Sequence, residues 1–161
     1  MCICRIALAH ACVDCMFPLA WIANCDRLIW QISSHLAEMN LEFPHFSTCD
    51  KKISKIETCC IGTKEHGHGT YVSDLIECHS VRLAETAPGG TYDWHPAPRK
   101  QYVITLTGTV EFTFGNGDML VVKPGDVFLA NDLEGKGHKW QILGDEPWRR
   151  LYIHLDKAPH S

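Results

Sequence analysis

The sequence predicts an all-β domain, a sandwich or a closed barrel, in its second half. Short apolar runs recur at roughly ten-residue intervals from Tyr71 onward, the spacing of short strands joined by turns. Gly, Pro, Asn and Asp divide the runs, and these residues supply turn geometry rather than helix. Composition then separates the two halves of the chain. All nine cysteines lie at or before Cys78 and none follows.

The runs define candidate strands at 71–77, 79–86, 101–107, 109–114, 118–122, 126–130, 137–143 and 148–155. Gly115-Asn116-Gly117-Asp118 is a hairpin turn, because Gly and Asn accept positive φ. Lys123-Pro124-Gly125-Asp126 is a second turn, with Pro setting φ and Gly taking the permissive position.

Residues 1–70 read as an extension, and residues 71–161 as the barrel. In the extension, Leu28, Ile29, Ile32, Leu36 and Met39 recur at helical spacing, so a helix is expected over 27–41, with Asp26 as N-cap and Pro44 as stop. Residues 44–70 read as loop or irregular strand, and a chain cut at residue 70 is expected to fold. The apolar residues between 3 and 32 are interrupted by His10, Asp14 and Pro18, short of the about 20 predominantly apolar residues that a spanning helix needs. A signal peptide is poorly formed, since Ile22-Ala23-Asn24-Cys25 lacks the small-residue cleavage pattern.

Apolar residues make up 45% of the 161 residues and charged residues 21%, enough apolar content for one buried core. The formal net charge of -4, with lysine and arginine scattered, offers no basic surface for nucleic acid. An odd number of cysteines argues against a disulfide framework and for reduced thiols. The expectation is a cytoplasmic protein with a small-molecule ligand, no nucleic-acid partner and no membrane, with a homodimer allowed.

The stretch Gly89 to Gly108 concentrates the chemistry. Its Gly/Pro-rich first half delivers His95 and Gln101 to the mouth of a strand, and His138 arrives in a Gly-flanked turn able to face them. Strand alternation puts Gln101, Val103 and Thr105 on one face, and His138, Trp140 and Ile142 on one face. If Gln101 and His138 point inward, Val103, Thr105 and Trp140 line a pocket. Arg99 at the mouth can hold a carboxylate or phosphate through its planar fork. Trp94 belongs to pocket wall or core.

This stretch resembles the first motif of the cupins, small double-stranded β-helix barrels of jelly-roll type. That motif runs Gly, five residues, His-x-His, three or four residues, Glu, six residues, Gly, and Gly89, His95, Gln101 and Gly108 fall at its places. The second motif is matched by Gly125 and by Gly135 with His138. Ala97 stands in place of the second histidine and Gln101 in place of the glutamate, while Asn131 and Ile142 replace the second motif's Pro and Asn. The resemblance spans about residues 75–155. It implies a barrel whose open end holds a small molecule. It also implies a divalent transition metal (Fe, Ni, Mn or Zn not distinguished) on His95, Gln101 and His138, with the ligand at position 97 missing. Two imidazoles and an amide carry no negative charge, so metal affinity is expected to be low.

Other candidates are weaker. Cys2-Ile3-Cys4 with Cys12-Val13-Asp14-Cys15 lacks a partner pair at zinc-finger spacing. His66-Gly67-His68 has chelate spacing in a Gly-rich turn. No nucleophile elbow or dinucleotide fingerprint is present. Three functions compete: a metal-dependent enzyme of unresolved reaction type, a metal-free protein that binds a sugar or other small ligand, and a structural or oligomeric barrel.

Overall fold

A computed structural model describes residues 38–156, and all of its regular elements are strands. In chain order these are β1 (Glu38–Thr48), β2 (Ser54–Gly67), β3 (Thr70–Ser73), β4 (Ser80–Thr86), β5 (Thr91–His95), β6 (Gln101–Thr107), β7 (Thr109–Phe114), β8 (Met119–Val122), β9 (Val127–Ala130), β10 (His138–Leu143) and β11 (Trp148–His154). Seven form one sheet in the order β3-β2-β1-β9-β6-β11-β4, and four form the other in the order β5-β10-β7-β8. This two-sheet arrangement fits a jelly roll. β1 pairs with β9 in parallel, and β9, β6, β11 and β4 follow one another antiparallel.

The alternation read from the sequence is present in the strands. Along β6, Gln101, Val103 and Thr105 are buried while Tyr102 and Ile104 are less so. Along β7, Val110, Phe112 and Phe114 are buried at every second place. The core between the sheets is aromatic: Phe46 packs against Phe112, Phe114 and Phe128 with ring centroids 5.2, 4.6 and 4.5 Å away.

Three expectations are corrected. Residues 38–41 are the start of β1, not the end of a helix, and Pro44 lies inside that strand. The remainder of the expected helix and most of the cysteines lie outside the described residues; Cys49, Cys59, Cys60 and Cys78 are free thiols. Residues 44–70 are not loop, because β1 and β2 fill most of them, and the described residues from Met39 onward belong to one compact unit. The unit therefore does not begin near Tyr71. β1 conceals itself because its two buried residues are the adjacent Phe46 and the small polar Ser47, which show no apolar alternation, and Pro44 interrupts the apolar pattern. Finally, Thr91–His95, read as part of a turn, is the edge strand β5.

Candidate functional site

The site forms where a row of residues crosses each sheet at one end of the barrel. In the large sheet Ala130, Gln101, His154 and Ser80 are successive cross-strand partners. In the small sheet His95 pairs with His138, which pairs in turn with Phe114. Ala130, Gln101 and His154 of the first row and His95 and His138 of the second border a cavity of about 620 Å³, well inside the range of small-molecule pockets.

Gly137 allows the two histidines to meet. A Cβ at this position would lie 1.9 Å from the His95 carbonyl oxygen and 2.4 Å from Pro96 N, and its φ is +73°. Only glycine tolerates both the contact and the backbone conformation. The His95 and His138 rings are consequently 4.6 Å apart, centroid to centroid.

Each imidazole is held by its Nδ1. His95 Nδ1–H donates to the Asp93 carbonyl at 2.7 Å. His138 Nδ1–H donates to Asp132 Oδ2 at 2.7 Å, and both of these residues are buried. A carbonyl or carboxylate only accepts, so in the neutral rings the proton sits on Nδ1 and Nε2 carries the free lone pair. Both rings border the cavity, and neither Nε2 is a sealed, unpartnered atom. Burial, the largest influence, holds the His95 pKa below its ordinary 6.5, and the neighbouring His138 pushes the same way against the Asp93 hydrogen bond. His95 is therefore a neutral acceptor near pH 7. His138 with Asp132 behind it forms a dyad able to take a proton at Nε2 while the carboxylate stabilises the imidazolium.

The structure brings together His95, Gln101 and His138 on the cavity wall, along with Arg99, Val103 and Trp140. Two predicted lining residues are elsewhere. Thr105 is fully buried beneath the cavity, with its Oγ1 3.4 Å from Trp148 Nε1. Trp94, next to His95 on β5, takes the other side of the strand and lies under the Lys136 ammonium, 3.8 Å from its ring centroid. The sequence reading missed the contribution of β11, where Trp148, Arg150, Tyr152 and His154 all border the cavity. Their period of two was readable, but the inward face carries the polar residues while Leu151 and Ile153 take the other face, the reverse of the usual pattern.

The donor set does not fit the four-ligand metal centre implied by the resemblance. Position 97 is a buried alanine, Gln101 offers a neutral amide, and among the described residues no three His, Cys, Asp or Glu side chains are grouped to hold an ion. The one buried carboxylate beside the histidines, Asp132, is spent on His138 Nδ1 and does not border the cavity.

Residues 82–154 match the family model described as the cupin domain. This stretch, a little under half of the chain, is a cupin domain. The cupin domain begins on β4 and ends with β11, so it contains every residue of the two rows except Ser80. Over 80 residues the chain is 36% identical to the cupin-domain-containing oxidoreductase srdB of Neurospora crassa, a match covering 49% of this chain and 39% of that protein. The chain thus spans about two fifths of the length of this curated relative. Among solved structures it is similar to the cupin domain of Schizosaccharomyces pombe Cnp3, at 18% identity and a TM-score of 0.42, covering 74% of this chain and 88% of that one. It is also similar to the polyketide cyclase RemF of Streptomyces resistomycificus, at 17% identity and a TM-score of 0.39, covering 49% and 55%.

Proposed function

We propose that the cupin domain binds a small organic molecule in the open end of its barrel, and that His95 and His138 meet it through Nε2. The observation that carries this reading is the tethering of both rings by Nδ1 at the wall of a cavity large enough for such a molecule. Held in one tautomer and one orientation, the pair is preorganised to accept hydrogen bonds or a proton from a ligand. A protein-observed NMR screen of the full chain against a fragment library, read at the histidine ring signals, tests it. Hits are expected to shift the ring signals of His95 and His138 and to be lost in a His95→Ala, His138→Ala double variant. Hits that leave those signals unmoved and survive the double change would refute the reading.

A second reading places a divalent ion on His95, Gln101 and His138. The same Nδ1 tethers favour it, because metal-binding histidines characteristically donate their other ring nitrogen to a carbonyl or carboxylate. Metal content of untagged protein decides this reading: substoichiometric metal that the double variant leaves unchanged ends it. The name of the Neurospora relative supports an oxidoreductase activity as the first enzymatic assay to run.

A further inference from the structure

We propose that the ligand of this cavity is an organic carboxylate with a planar aromatic body, and that Arg150 is the group that receives its charge. This rests on the reading that the barrel mouth is a small-molecule site, and it names the class of molecule that site selects.

The argument starts from a buried cation without a counter-ion. Arg150 is 8% exposed, and among the described residues no carboxylate lies within salt-bridge distance of it. All its protein partners are neutral. Nε donates to the Tyr152 hydroxyl at 2.6 Å, and Nη1 donates to Thr86 Oγ1 at 2.9 Å and to the Trp148 carbonyl at 3.2 Å. Trp148 also supports the guanidinium from below, with Cζ 3.8 Å from its ring centroid. These contacts fix the plane of the fork but leave Nη2 without an acceptor among the described residues, and Nη2 is not sealed from the cavity that Arg150 borders. A guanidinium cannot shed its proton in a protein, so burial without an anion is costly. A ligand carboxylate would supply the anion, with the Tyr152 hydroxyl as a second donor beside Nη2.

The rest of the wall has the same sign. Arg82 and Arg99 border the cavity with His95, His138 and His154, and among the described residues no aspartate or glutamate borders it, although the whole chain carries a net charge of -4. Arg82 and Arg99 are close enough to His154 that their charges add to burial in lowering its pKa. The remaining wall explains the aromatic body. Tyr92 and Trp140 are near-parallel, 17° apart, and Trp148, Phe112 and Phe128 complete an apolar surface. Flat rings stack on such surfaces, whereas a hydrated inorganic anion gains nothing from them.

The test uses the full chain, tryptophan fluorescence and calorimetry, with 2-naphthoate as probe, 2-naphthamide as its neutral counterpart and inorganic phosphate as a charge-only control. Naphthoate is expected to bind at least tenfold more tightly than naphthamide, and phosphate to compete weakly or not at all. In Arg150→Gln the preference is expected to fall to within about twofold, mainly through loss of naphthoate affinity. Should that variant fail to fold, the naphthoate-to-naphthamide ratio in the unmodified protein decides alone. Equal binding of both probes overturns the carboxylate assignment while leaving the pocket intact. A preference that persists in folded Arg150→Gln overturns Arg150 as its receptor. Phosphate competing as well as naphthoate overturns the aromatic part. Binding of neither probe overturns this proposal, and an accompanying lack of hits in the fragment screen overturns the pocket reading separately.

Discussion

Replacing Phe46 by alanine tests whether β1 is a working stave of the barrel. Phe46 has no exposed surface, and its ring lies against Phe112, Phe114 and Phe128, as well as against His138 at 5.4 Å. Truncation removes the ring's burial and leaves a cavity between two sheets whose backbones are held by ladders and cannot close on it. Phe→Ala changes at such sites cost about 3–5 kcal/mol. Against a domain stability of about 5–15 kcal/mol, that is about a fifth of the total or more. For a unit of this size the melting temperature should fall by about 10–20 °C. Urea unfolding followed by the fluorescence of the buried Trp148 measures the loss directly. Leu41→Ala on the same strand is the control, since Leu41 is 53% exposed and should change stability by no more than about 0.5 kcal/mol. A Phe46→Ala loss below about 1 kcal/mol, or one no larger than that of Leu41→Ala, would show that β1 does not seal the core.

Three further outcomes follow from the site. Gly137→Ala should cost about 2–6 kcal/mol, because strain at positive φ adds to a Cβ driven into the His95 carbonyl; NMR should show the two histidine rings separated, and unchanged ring signals would contradict it. Asp132→Ala should cost about 1–3 kcal/mol by leaving His138 Nδ1 unpaired in a buried position, as read from urea titrations at neutral pH. Burial lowers the pKa values of His45, His95 and His154, so the unfolded chain takes up protons that the folded chain refuses. Their contribution is present in full above the ordinary value of about 6.5 and is lost as pH falls through it, so stability should rise from about pH 5.5 to about pH 7.5. A flat profile across that window would contradict the burial of these rings.

By itself the sequence determined the all-β class and the strands β6 and β7 to the residue, and it singled out His95, Gln101 and His138, which the fold brings to one cavity wall. Those features rest on local signals. Period-two alternation, turn glycines and a spaced motif each lie within a few consecutive residues, and the chain cannot change them without changing its own pattern. Tertiary structure decided what depended on partners far along the chain. β1 looks helical in its first residues and irregular beyond Pro44, and it becomes a strand because β9 offers it a parallel edge and three phenylalanines receive Phe46. Asp132 is an unremarkable loop acid until folding lays it behind His138. Arg150 follows Arg149 in the sequence with nothing local to set it apart, and only its place between Trp148 and Tyr152 makes it a buried cation facing the cavity. In each case a side chain's chemistry is set by the charge and burial of its neighbours, and only the fold chooses those neighbours.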